Sequence, residues 1–266
     1  MNRTALMKLL VIVGLPGAIA VSLLNGVASP VGWGIGWIFV ALYLVAGVLL
    51  FRVGPLWPRA GLWYVLSCLA WGSCVCLALV ILPGVAWTSI VSKLGWEPVL
   101  ASFAGGIPEE LAKAFGVLLI LYSFRELNRP WHGFVTGGLV GLGFEINENL
   151  MYGAVGALID ANSDLHGAVL TWLVRTIAGP GLHVMLAAMS GWGIGLALFC
   201  VAQRRALWWI GVAIGIHFCW NILSGNEVEQ VIRLVILMVV LFSCFVYIYV
   251  KALTMQKSDK SYVLLM

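Results

Sequence analysis

Charge is what this chain has least of. Only 10% of its 266 residues are Asp, Glu, Lys or Arg, against roughly a quarter in soluble domains. That shortage excludes an ordinary water-soluble globule. The fifteen basic residues are scattered between apolar runs and form no cluster, which argues against a nucleic-acid partner. Cysteine is sparse as well: Cys68, Cys74, Cys76, Cys200, Cys219 and Cys244 all sit inside apolar segments and none forms a C-x-x-C pair. They read as small packing residues. No H-E-x-x-H occurs, so the usual helical zinc pair is missing. There is no internal repeat and no low-complexity stretch.

What is present is hydrophobic. Apolar residues make up 62% of the chain and the mean hydropathy is +1.03. Several runs reach the roughly 20 residues needed to cross about 30 Å of hydrocarbon. The expected fold is all-α: one integral membrane domain over residues 1–266, in a lipid bilayer, with about eight transmembrane helices. Their approximate limits are 9–28, 32–51, 62–83, 107–124, 133–153, 181–201, 206–224 and 232–250. Breakers mark the divisions, among them Ser29-Pro30, Gly54-Pro55, Pro83-Gly84, Arg129-Pro130 and Gly179-Pro180-Gly181. The N-terminal run looks like a signal peptide, but the simpler expectation is an uncleaved first span. Residues 84–106, which carry Lys93, Glu97 and Pro98, read as an interfacial or re-entrant segment.

Lys and Arg favour the cytoplasmic side. With the N-terminus inside, eleven basic residues fall there, and only Lys93, Arg175 and Arg233 fall outside. Both termini are therefore expected in the cytoplasm, with 251–266 as a tail.

Charges inside the spans carry the function. An intramembrane ionisable residue costs about 3 kcal/mol on insertion scales and is a functional candidate by default. Span four opens with Glu109, Glu110 and Lys113; span five carries Glu145, Asn147, Glu148 and Asn149. Span six has His183, and span seven has His217 and Asn221. At 1.5 Å per residue, Glu109, Glu148 and Asn221 lie about 22 Å from the inner end, His217 roughly 16 Å and His183 roughly 27 Å. Spans running in opposite directions need not agree in this way. The agreement points to one polar cavity opening toward the outer face.

Spacing adds detail. Glu109 and Lys113 are i,i+4, Glu110 and Lys113 are i,i+3, so either carboxylate can neutralise the lysine and leave the other for chemistry. Blander roles are set beside these: Glu in a first turn complements the helix dipole, and a lone intramembrane His often only bridges two helices. Glu145 reads as a structural buried group, Arg175 as an interfacial anchor, and His132 and His166 as solvated loop residues. Two carboxylates, two imidazoles and an amide at one depth suit activation of water and stabilisation of an oxyanion.

In order, the residues are Glu109-Glu110-x-x-Lys113, Phe144-x-x-x-Glu148-Asn149, Arg175-x4-Pro180-x2-His183 and His217-x3-Asn221. This set resembles the PrsW family of intramembrane proteases, within the wider group that holds the CAAX prenyl endopeptidases. The resemblance covers about 105–224, a four-span catalytic core. It implies hydrolysis of a membrane-anchored protein, such as an anti-sigma factor, on the extracytoplasmic side of a bacterial cytoplasmic membrane. It also implies that Glu109 is the base on water with Glu110 beside it. Glu148, His183 and His217 complete the site, Asn221 helps His217 hold the oxyanion, and Lys113, Asn149 and Arg175 support it. The CAAX branch has His where this chain has Glu148, which disfavours a prenylated substrate. Zinc on His183, His217 and Glu148 with an open position for water, or a metal-free glutamate mechanism, are both open. A proton- or cation-coupled transporter and a non-catalytic membrane scaffold are the other readings.

Overall fold

A computed structural model describes residues 2–261. The chain is all-α, with no strand among the described residues. In chain order the helices are α1 (Arg3–Ala28), α2 (Pro30–Arg52), α3 (Leu62–Lys93), α4 (Ile107–Ser123), α5 (Pro130–Ile159), α6 (Asp164–Ala178), α7 (Leu182–Phe199), α8 (Gln203–Trp220) and α9 (Glu227–Ser258). Five of them, α1, α2, α3, α7 and α9, are long and apolar enough to cross a membrane. The helices that bring Glu109, Glu110, Lys113, Glu145, Glu148 and His217 are less apolar because they carry the polar residues.

Helix starts follow local chemistry. Ser29, Ser163 and Asn226 accept hydrogen bonds from the first free backbone N–H groups of α2, α6 and α9, and Pro30 and Pro130 occupy first-turn positions where no N–H is needed. Gly181 precedes α7 with φ +70°, a left-handed conformation that glycine reaches without strain.

The centre is α5, buried along nearly its whole length and packed on α7. A Cβ at Gly137 would lie 2.0 Å from the Ala187 carbonyl oxygen, so the two backbones touch there. Gly137→Ala is expected to destabilise the fold by about 1–3 kcal/mol or more through overpacking. Gly211→Ala, where nothing lies within 4 Å, should be neutral or slightly stabilising. Thermal unfolding of the detergent-solubilised pair checks this.

α1, α2 and α9 surround this pair, with large apolar residues such as Leu24, Leu50 and Val239 exposed on their outer surfaces. Arg3 pairs with Glu126, and Arg129 donates to Asp259. Both described ends of the chain therefore meet at the end of the bundle opposite Glu109. The expected tail at 251–266 is partly helical, since α9 runs to Ser258; residues 262–266 lie outside the described residues.

Three expectations change. The third helix does not stop at Pro83 but continues to Lys93. In an apolar setting, losing one backbone hydrogen bond at a proline costs less than unwinding a helix and exposing several polar groups. α5 likewise passes the expected limit of 153 and ends at Ile159. His132 is not solvated. Pro130 starts the helix two residues earlier, and His132 is buried with its Nδ1 accepting from the Asn128 N–H at 3.1 Å.

Candidate active site

Four helices deliver the site. Pro108 fits the first turn of α4, and the next two residues turn Glu109 and Glu110 toward the bundle. A π-turn at Ser102–Gly106 leads into that helix and is fastened to the end of α8: Ser102 Oγ donates to the Phe218 carbonyl at 2.7 Å, and Leu223 N–H to the Pro98 carbonyl at 2.8 Å. Residues 84–106, read as interfacial or re-entrant, thus divide: those to Lys93 extend α3, and Ser102–Gly106 forms a strap against the end of α8. Asn221, expected to share an oxyanion with His217, lies beside this strap and gives its amide N–H to the Ala101 carbonyl at 3.4 Å.

The innermost part is an ion pair. Lys113 Nζ lies 2.5 Å from Glu110 Oε1 with both side chains fully buried, so the i,i+3 partner wins and Glu109 is the carboxylate left over. Glu110 Oε1 also faces His217 Nδ1 at 2.8 Å. Lys113 Nζ is 2.9 Å from His183 Nδ1 and 4.4 Å from the centre of the Phe144 ring. The two imidazoles stand 5.1 Å apart, centre to centre.

Nearer the mouth, His183 Nε2 lies 2.9 Å from Glu148 Oε2, and Arg175 donates to both Glu148 and Asn149. The Arg175 guanidinium also sits 4.2 Å from the Tyr152 ring. Arg175 is therefore part of the site and not only an interfacial anchor. Glu109 and Glu148, at 13% and 17% side-chain exposure, are the open members, whereas His183 and His217 are nearly closed off.

Glu145 is structural, as its position suggested. It accepts from the N–H groups of Gly181 and His183, at 3.0 and 3.1 Å, and so caps α7. His166, expected in a loop, lies in the first turn of α6 and is exposed. Its hydrogen bond to Asp160, together with the Ser163 and Asn162 N–H groups, pulls that carboxyl down to about 2.

One supporting element went unnoticed in the sequence. α3 is wound as a π-turn at Trp71–Val75, a distortion that often marks functional places in helices. It brings Gly72 against the Val140 carbonyl and lets the Ser73 carbonyl accept from Asn147, next to Glu148. Trp71 Nε1 donates to the Ala112 carbonyl at 3.0 Å, fixing the helix that carries Lys113. The signal was the Trp-Gly-Ser-Cys sequence inside an otherwise aliphatic span.

The donor set fits a divalent cation. Ligand atoms of Glu109, His183 and His217 all lie within 4.8 Å of one another. Glu109 Oε2 is buried with no hydrogen-bond partner and faces His217 Nε2 at 3.8 Å. That gap is too long for a hydrogen bond and suits two lone pairs sharing one ion. Glu110 behind His217 gives the carboxylate–histidine support usual for a metal-bound imidazole. The sequence reading had Glu148 in the ligand set; the converging group has Glu109 in that place, because Arg175 and His183 engage the Glu148 carboxylate.

The fold and site together define a helical membrane protein with a buried cluster of carboxylates and imidazoles. The chain belongs to the PrsW family of intramembrane metalloproteases, whose model matches residues 60–249. It is also similar to Protease PrsW of Geobacillus kaustophilus (strain HTA426), 28% identical over 109 residues. That match covers 41% of this chain and 44% of the relative, so the chain spans less than half of the curated protein it matches. No solved structure matches.

Proposed function

We propose that this protein is an intramembrane endopeptidase that cuts a membrane-anchored protein, such as an anti-sigma factor, near the extracytoplasmic face of a bacterial cytoplasmic membrane. The observation that carries the reading is the meeting of Glu109, His183 and His217, from three helices, beside the unpaired oxygen of Glu109, with Glu148 from a fourth helix held against His183. Eight crossings with both termini cytoplasmic complete the reading. The pairing of both described chain ends at the far end of the bundle supports an even number of crossings, and the basic residues favour that end as cytoplasmic.

In this mechanism the Glu109 carboxylate, on a side chain that is 13% exposed, takes a proton from the attacking water. Glu110, held by Lys113, keeps His217 oriented with Nε2 toward the same place. Glu148, braced by Arg175, marks the side from which the peptide carbonyl approaches, and His183 Nε2 lies beside it. A bound cation such as zinc would be held by Glu109 and His217, with His183 in reach, and would polarise water and stabilise the oxyanion. The strap at Ser102–Gly106 limits bulk water.

Two measurements test the reading. Membrane proteomes of cells expressing wild-type protein or Glu109→Gln identify the substrate as a membrane protein that persists uncut only with the variant; identical proteomes would refute the assignment. For the cation, purified wild-type protein is expected to hold stoichiometric metal, and His217→Ala to lose at least ten-fold in affinity, since an outer-shell change alone costs about 10–100-fold. Full activity after exhaustive chelation would reject the metal.

A further inference from the structure

Lys113 touches more than its helix neighbour. Its ammonium, completely buried, lies 2.5 Å from Glu110 Oε1 and 2.9 Å from His183 Nδ1. An ammonium only donates, so His183 Nδ1 accepts with its lone pair and the proton of the neutral ring belongs on Nε2. The neighbour of Nε2 makes the same demand, because the Glu148 carboxylate at 2.9 Å only accepts. At His217 the order is reversed. Its Nδ1 faces Glu110 Oε1, an acceptor, at 2.8 Å. The proton therefore sits on Nδ1, and the Nε2 lone pair faces Glu109. One carboxylate oxygen, Glu110 Oε1, serves both the lysine and His217.

We propose that Lys113 is a positioning residue that, directly and through Glu110, sets the two imidazoles in opposite tautomers: His183 as an Nε2–H donor and His217 as an Nε2 acceptor. Resting on the hydrolytic reading, this divides the site by polarity. On the Glu109 side, His217 offers a lone pair to a cation or to a water proton. On the Glu148 side, His183 offers an N–H to the carbonyl oxygen of the peptide as it gains charge, once the substrate displaces the Glu148 contact. While Lys113 holds Nδ1, Nε2 keeps its proton and can donate to an oxyanion; for Nε2 to ligate a cation instead, that proton would first have to leave. A lysine that merely neutralised Glu110 would impose no tautomer on His183.

The test reads the rings without turnover. Full-length protein in detergent, freed of cations by a chelator and labelled with 15N-histidine, gives separate signals for ring nitrogens with and without a proton. Single His→Gln variants assign the four histidines. The expected spectrum has His183 protonated on Nε2 only and His217 on Nδ1 only; the opposite assignment for either ring would overturn the proposal. Glu148→Ala removes one of the two constraints on His183, and its tautomer is expected to stay, because Lys113 suffices. Adding Lys113→Met is expected to turn the His183 signals into a mixture of both tautomers. A mixture already in Glu148→Ala, or an unchanged ring in the double variant, would overturn the role of Lys113. The wild-type spectrum decides the tautomers even if the double variant does not fold. Opposite tautomers in a protein that cuts nothing would sink the hydrolytic reading alone, and cleavage with the wrong tautomers would sink this one alone.

Discussion

Glu109→Gln is expected to abolish cleavage, with a fall of roughly 10²–10⁴-fold if the carboxylate acts as general base, while the protein remains folded and monodisperse in detergent. The substitution is nearly isosteric. Glu109 has no ion pair with a lysine to lose, since Lys113 is taken by Glu110 at 2.5 Å, and its Oε2 has no hydrogen-bond partner. What disappears is a lone pair and a negative charge, 3.8 Å from His217 Nε2. Cleavage of a co-expressed single-span membrane protein, followed on a gel, measures the effect. Wild-type rates in the variant would remove Glu109 from the chemistry.

The second large effect falls on stability. Glu110→Ala leaves the Lys113 ammonium buried without its carboxylate and His217 Nδ1 without its acceptor. Breaking a buried ion pair from one side typically costs about 3–5 kcal/mol, enough to threaten folding at growth temperature. Combining Glu110→Leu with Lys113→Met removes both charges. The double variant is expected to recover much of the thermal stability but none of the activity. Recovery of cleavage would show that the pair serves only the fold. A double variant as unstable as Glu110→Ala would show that packing, not the stranded charge, is responsible.

The difference between these two adjacent glutamates was not visible in the sequence. Glu109 at i,i+4 and Glu110 at i,i+3 were equal candidates for Lys113, and either could have been the free carboxylate. The choice depends on α8, which places His217 Nδ1 against Glu110 Oε1, and on α7, which places His183 Nδ1 against the lysine. Neither helix is near α4 in the chain. Arg175 is a similar case. By itself it looked like an anchor, and only the resemblance made it a supporting residue; the close packing of α6 on α5 is what carries its guanidinium to Glu148. Asn221 sits beside the strap at residues 101–106, with its amide in reach of the Ala101 carbonyl and next to Gly105, which Glu109 also flanks. Pro83 misled for a physical reason: breaker rules are calibrated on backbone that water can solvate, and here the alternative to a kinked helix is unsolvated backbone.

Much else was legible from composition and order alone. Backbone in a bilayer is satisfied by helices or closed barrels, and continuous apolar runs of roughly 20 residues fit only the helices, so the all-α membrane fold followed from those runs. Polar residues stood out because each is costly in those runs, and counting residues from the ends of oppositely directed spans led to the expectation that five of them, Glu109, Glu148, His183, His217 and Asn221, share one depth. Composition and order thus determined the all-α membrane architecture and singled out the polar residues inside its helices. Tertiary structure decided which carboxylate is free, which nitrogen of each imidazole carries the proton and which charges neutralise each other. Those choices rest on contacts of 2.5–2.9 Å between side chains up to 107 residues apart, and a depth estimate good to a helical turn cannot resolve them.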